Sequence, residues 1–326
     1  MVKVEGLYYS YTNDDKYAVK DISFEIAEGE SFGLLGPSGA GKSTTQNILT
    51  GLLPLKTGEV QVAGYDMHHP KREMFNKLGV SFEQSNVYGK LTALENLEFY
   101  RKLFDVPTLD PMELLTLVGL EQVASKKAAT FSKGMKHRLT FVRSMLNQPI
   151  LWFLDEPTTG LDPAIASVIK DIVKEKKERG TTIFLTTHNM FLADELCDRV
   201  GFIVDGELRL IDSPRNLKLK YGEKLVEVEY VEEAAQGDEA NQAVAAEQPI
   251  VSDSADGSGT GTVGRATIGG GTGTGAHLIR RHFSLVDPVE VAALQEVLAT
   301  RKIETMHTKE ATLEEIFIKV TGRKLV

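Results

Sequence analysis

The chain has 326 residues, 42% hydrophobic and 25% charged, which suits a globular protein of one large or two ordinary domains. Its formal charge of −9 argues against broad nucleic-acid binding, which draws on Lys and Arg to neutralise phosphates. One cysteine, Cys197, excludes an internal disulfide and reads as a helix-packing residue; no apolar run approaches the ~18 residues of a spanning helix, and no basic-then-apolar leader opens the chain, so a cytoplasmic protein is expected.

Residues 1–30 alternate apolar and polar in short pieces, such as Val2-Lys3-Val4 and Ile22–Ile26, and predict an antiparallel β region. Residues 30–35 read as a buried strand, 43–50 as the first turns of a helix, and 59–64 as another strand. Gly79–Phe82 is strand-like, and 92–125 has helical period through Leu94, Leu97, Leu114, Leu115, Leu117 and Val118. Ile150–Leu154 is a continuous apolar run that suits a strand buried on both faces of a parallel sheet. Asp162 as cap, Pro163 at the first helical position and Gly180 at the end bracket a helix over 163–179. A strand follows at 181–187, and Phe202-Ile203-Val204 before Asp205-Gly206 predicts a hairpin.

Composition changes after Tyr230. Glu232 to Asp256 carries seven acidic and no basic residues, and Gly257 to Gly275 is mostly Gly, Ser and Thr. Such a stretch buries too little apolar surface to offset its ordering entropy, so 232–276 is expected to be a poorly ordered insertion. Beyond it, 277–286 reads as a strand. Asp287-Pro288-Val289-Glu290 and Thr312-Leu313-Glu314-Glu315 each open a helix with a capping box. The chain therefore divides into a domain at 1–216, with a helical subdomain at about 85–148, and an accessory α/β unit at 217–326 that contains the insertion.

Gly36-Pro37-Ser38-Gly39-Ala40-Gly41-Lys42-Ser43-Thr44 matches the phosphate-loop pattern G-x-x-x-x-G-K-[ST] in full. Small residues let the backbone curl until several N–H groups face one anion, and the following helix N-terminus adds its dipole. Lys42 reaches the β- and γ-phosphates, and the Ser43 hydroxyl is a ligand for Mg²⁺. Asp155 ends the apolar run at 150–154, where a buried carboxylate is costly unless paired or metal-bound; it is the candidate Mg²⁺ ligand, through water. Glu156 beside it is the candidate for polarising the attacking water. His68, His69 and His137 read as surface residues at no metal-ligand spacing.

The residues between and beyond these motifs resemble the ATP-binding subunit of ABC transporters over about 1–215. Phe131-Ser132-Lys133-Gly134-Met135 is similar to that family's signature, usually Leu-Ser-Gly-Gly-Gln, with Ser and the second Gly kept. Gln84 resembles the Q-loop glutamine, Thr159-Gly160-Leu161-Asp162 the D-loop, and His188 the switch histidine; Tyr11 is placed like the aromatic that stacks on adenine. The signature variant and the closing Thr312–Arg323 segment are like those of drug-export ATPase subunits.

The resemblance implies a P-loop ATPase core that uses ATP and Mg²⁺, with Gln84 touching Mg²⁺ or the water and His188 near the γ-phosphate. It implies a homodimer on ATP binding, in which Ser132, Gly134 and Met135 of one copy meet the nucleotide on the phosphate loop of the other. It further implies a multi-span membrane permease as partner, a peripheral position at the cytoplasmic face of the cell membrane, and no nucleic acid. The alternatives are a soluble ABC-type ATPase acting on ribosomes or nucleic acid, and a P-loop kinase or GTPase. The last leaves Ser132 and His188 without a role.

Overall fold

The computed structural model describes residues 1–12, 16–233, 264–266 and 276–323. Two compact units emerge: Met1–Tyr221 together with Thr312–Val326, and Gly222–Ala311.

In the first unit the chain runs β1 (Val2–Tyr9), β2 (Val19–Ile26), β3 (Ser31–Leu35), α1 (Lys42–Leu49), β4 (Thr57–Val62), β5 (Tyr65–Asp66), α2 (Arg72–Phe75) and β6 (Leu78–Ser81). It continues through α3 (Ala93–Arg101), α4 (Pro111–Leu117), α5 (Lys133–Arg143), β7 (Leu151–Asp155), α6 (Pro163–Glu178), β8 (Thr182–Thr187), α7 (Met190–Leu196), β9 (Arg199–Val204), β10 (Glu207–Asp212) and α8 (Pro214–Tyr221). The expected antiparallel region is a sheet in the order β2-β1-β4-β5. The second sheet, β10-β9-β3-β8-β7-β6, is parallel from β9 to β6, with β10 antiparallel at its edge. The long helical stretch of 92–125 divides, because Asp110 caps a new helix with Pro111 at its first position.

Strands β3, β7 and β8 are buried along their whole length, as the inner strands of a parallel sheet should be. Phe24, Phe32, Phe153 and Phe184 stack through the core between the two sheets. Because parallel strands end together, Leu35, Ser81, Asp155 and Thr187 deliver their following loops to one edge, where open α/β sheets place their ligands.

The second unit holds β11 (Leu225–Glu233), β12 (Gly264–Ala266), β13 (Ala276–Ser284), α9 (Pro288–Thr300) and β14 (Lys302–Lys309), in a sheet ordered β12-β13-β11-β14. Val226, Val228, Tyr230, Ile279 and Phe283 pack with Leu294 and Val297 of α9. Of the expected insertion, 264–266 pairs with β13, while 234–263 and 267–275 lie outside the described residues. Asp287 caps α9, but Glu290 accepts the N–H of Ser284 instead of closing a capping box.

The last helix, α10 (Leu313–Thr321), keeps both halves of its capping box at Thr312 and Glu315. It belongs to the first unit, where the sequence reading had grouped it with the accessory unit. Phe317 meets Phe202 edge-on at 5.3 Å, and Lys319 donates to the Tyr221 carbonyl.

A candidate nucleotide-binding and hydrolysis site

The phosphate loop joins β3 to α1, and two of its glycines are dictated by close backbone approach. A Cβ on Gly36 would lie 2.2 Å from the Ile203 carbonyl oxygen. Gly41 has φ +108° and would bring a Cβ within 2.6 Å of the Ala18 carbonyl oxygen. Lys42 folds its ammonium back along the loop and donates to the carbonyls of Gly36 at 2.6 Å and Pro37 at 2.9 Å. Burial lowers its pKa, against the opposing charges of Glu156, Asp155 and Glu83.

Register places the two carboxylates. In the β7–β8 ladder Asp155 is opposite Thr186, whose Oγ1 stands 2.5 Å from Asp155 Oδ1 and 3.0 Å from Gln46 Oε1. Glu156 then turns left-handed, with φ +48°, while its N–H still bonds Thr186 O at 2.9 Å. That turn aims its carboxylate at a ring of donors. Thr187 Oγ1 donates to Oε2 at 2.9 Å and Thr159 Oγ1 at 3.0 Å. The His188 N–H reaches Oε1 at 2.8 Å, and His188 Nδ1 lies 2.7 Å from the same oxygen.

A cleft of about 520 Å³ collects most of the residues singled out from the sequence. Tyr11, Pro37, Ser38, Gly39, Gly41, Lys42, Ser43, Thr44, Asp155, Glu156 and His188 all line it. Tyr11 stands at its margin, 61% exposed, with its hydroxyl 3.0 Å from Thr44 Oγ1. Ala40 is buried beneath the loop. Gln84 lines an adjoining hollow with Ser43 and Asp155.

The signature stands elsewhere. Ser132 caps α5 by accepting the Met135 N–H at 3.2 Å, and Gly134 packs against Leu161 of the D-loop-like segment. Neither Ser132, Gly134 nor Met135 lines the cleft.

Sequence reasoning missed several groups. The anchors Thr186 and Thr187 are one, signalled by the polar pair that ends an otherwise apolar strand; Thr159, read from the sequence only as part of the D-loop-like segment, joins them at Glu156. Glu83, which lines both hollows, is another. His137 corrects an expectation: it is 3% exposed and not a surface residue. Burial and Lys133 lower its pKa. Cys197 is buried and its thiol is pushed up to about 12 by burial, so it is a packing residue.

The charge balance fits a polyphosphate that arrives with a divalent cation. Burial raises the Asp155 pKa most; the charges of Glu156 and Glu83 add to this, while Thr186 and Lys42 oppose it. Among the described residues no three His, Cys, Asp or Glu side chains form a metal cage on their own.

The raised Asp155 pKa has a stability consequence. A carboxyl whose folded pKa lies above its unfolded value binds more protons in the folded state, so stability falls as pH rises from about 4 through the folded value. In nucleotide-free, metal-free buffer, Asp155→Asn is expected to melt a few degrees higher than wild type at neutral pH, converging with it near pH 4. Equal melting at neutral pH would show that the ionised carboxylate carries no penalty.

Comparison with known proteins agrees with this geometry. The ABC transporter family model matches residues 19–159, and an AAA domain model matches 127–194 within the same core. A fluoroquinolones export ATP-binding protein of Mycobacterium tuberculosis is 42% identical over 325 residues, 100% of this chain and 94% of its own length. The linearmycin resistance ATP-binding protein LnrL of Bacillus subtilis is 38% identical over 68% of this chain and 72% of its own. Among solved structures, the ATP-binding cassette MJ0796, a dimer in a post-hydrolysis state bound to ADP and Pi, matches with TM-score 0.60 and 29% identity, covering 65% of this chain and 98% of that one. An ATP-binding subunit of an ABC transporter matches with TM-score 0.63 and 28% identity, covering 68% of this chain and 93% of that one. The fold is that of a P-loop ATPase core, and the chain belongs to the ATP-binding, ATP-hydrolysing subunits of the ABC transporter family.

Proposed function

We propose that this subunit closes on a second copy around ATP and so drives export of a substrate through a separate multi-span membrane permease. One observation carries the reading: the residues suited to hold and cleave a triphosphate share one cleft, while Ser132, Gly134 and Met135 stand outside it. A second molecule can bring its own signature to that cleft. The dimeric relative with ADP and Pi supports such an arrangement.

In this reading the loop N–H groups and Lys42 hold the phosphates, and Tyr11 borders the base. Ser43 and Asp155 would hold Mg²⁺, with Gln84 bonding its water shell from the adjoining hollow. Bound there, the ion would neutralise charge on the β- and γ-phosphates. Glu156 accepts the proton of a water as the water oxygen bonds to the γ-phosphorus and the bond to the ADP oxygen breaks. Thr159, Thr187 and His188 fix the base in place, and His188 stands beside the leaving phosphate. The Ser132 N-cap of α5 presents a helix N-terminus, which suits an anion held by the opposite copy.

Transmission to the permease would run through the segment after Gln84. Arg143 of α5 bonds both the carbonyl and the side chain of Asn86, and its guanidinium sits 4.2 Å over the Tyr100 ring. That segment and the signature helix are thus tied together. Among the described residues no helix is long and apolar enough to cross a membrane. In this reading the pore belongs to another polypeptide, and this chain docks on it at the cytoplasmic face of the membrane.

Affinity purification of the full chain from detergent-solubilised membranes tests the partner. A multi-span membrane protein should co-purify in stoichiometric amount. ATPase activity stimulated by RNA or DNA, with no membrane partner retained, would contradict it.

A further inference from the structure

The turn that joins β9 to β10 braces the phosphate loop. Asp205 and Gly206 form a two-residue hairpin, both left-handed, with φ +52° and +78°. The Gly206 N–H donates to the carbonyl of Ala40, inside the loop, at 3.0 Å, and the Gly206 carbonyl accepts the Lys20 N–H at 2.7 Å. The seat is close: a Cβ on Gly206 would lie 2.8 Å from the Ala18 carbonyl oxygen. Ile203 reaches both ends of the loop. Its carbonyl crowds Gly36, and its Cδ1 would stand 3.2 Å from a Cβ on Gly41.

α10 is fastened to the same hairpin at two points. Phe317, fully buried, packs on Phe202, the β9 residue opposite Leu35. Just past the helix, Arg323 sets its guanidinium on both Asp205 oxygens, Nη1 to Oδ1 at 2.8 Å and Nη2 to Oδ2 at 2.6 Å. Such a fork fixes orientation as well as distance. All of these residues belong to the first unit, and neither Arg323 nor any residue of α10 lines the cleft. We propose that Arg323 is a positioning residue for nucleotide binding: through Asp205 it holds the 205–206 turn against Ala40 and keeps the phosphate loop in its anion-binding shape. The inference deepens the reading of that loop given above and rests on it.

The experiment measures Mg²⁺-ADP affinity by calorimetry and steady-state ATP hydrolysis, both on the full chain. Arg323→Ala should weaken ADP binding and raise KM for ATP roughly two- to fivefold, the range of one exposed ion pair. Its kcat should not change, as expected when binding is lost equally from ground and transition states. Asp205→Asn keeps a residue type that tolerates left-handed φ and should weaken ADP binding by a similar factor. The double variant should bind no more weakly than either single, because both break one link. Arg323→Lys should recover part of the affinity. Arg72→Ala removes a comparably exposed pair with Asp105 and should bind as wild type does. Tighter ADP binding in Asp205→Asn would show that Arg323 acts only as a distant charge, and would overturn the proposal. So would additive effects in the double variant, or a wild-type KM in Arg323→Ala. A wild-type chain that binds no ADP would overturn the nucleotide site itself, and this proposal with it.

Discussion

Glu156→Gln will retain ATP binding while turnover falls by roughly 10²- to 10⁴-fold, the usual contribution of a positioned general base. The substitution is nearly isosteric, and the surrounding donors explain why it should not disturb the fold. With the amide oxygen in the Oε1 position the His188 N–H keeps its acceptor, and the Thr159 and Thr187 hydroxyls, which face the Oε2 position, can rotate to accept from the NH₂. What disappears is the proton acceptor. With hydrolysis blocked and binding intact, ATP-bound dimers should accumulate, visible as a shift to twice the monomer mass in light scattering on adding ATP. Undiminished hydrolysis in this variant would remove Glu156 from the chemistry.

Lys42→Ala is expected to act one step earlier. The ammonium is desolvated and held by two loop carbonyls, so its charge is already poised towards the cleft when the nucleotide enters. Its loss removes a charge-assisted contact to the phosphates and loosens the loop it braces. Nucleotide affinity should fall on the order of 100-fold, as expected for one or two charged hydrogen bonds. Nucleotide titration separates this variant from Glu156→Gln, which binds normally. Wild-type affinity in Lys42→Ala would show that the backbone nest alone holds the anion.

Much of this site is written locally in the chain. The phosphate loop depends on nine consecutive residues between a buried strand and a helix, so its spacing could be read directly. Asp155 and Glu156 were marked by an apolar run that ends in charge. What holds Glu156 was not legible, because Thr187 and His188 come from a strand 31 and 32 residues away and meet it only through β7–β8 register. Glu83 was hidden by its neighbour, since the strand-end segment could be read by residue type but not by which side chain faces the cleft. His137 was misplaced by type as well. Its helix buries His137 and then every residue from Leu139 to Arg143, so this stretch lies inside the packed core, and burial there outranks the polarity of the ring. The capping box of α10 could be read from four residues, but its docking against Phe202 could not, because that contact spans 115 residues of chain.

The central claim is a cleft completed by a second molecule, and mixing two inactive variants tests it most directly. Lys42→Ala spoils the phosphate loop; Ser132→Arg spoils the signature, which lies outside its own cleft. Each variant alone should hydrolyse ATP poorly. Mixed in equal amounts, they should form heterodimers in which one of two sites combines an intact loop with an intact signature, and ATPase activity should return to a measurable fraction of wild type. No recovery on mixing, with both variants folded and heterodimers confirmed, or full activity of Ser132→Arg by itself, would contradict a shared site.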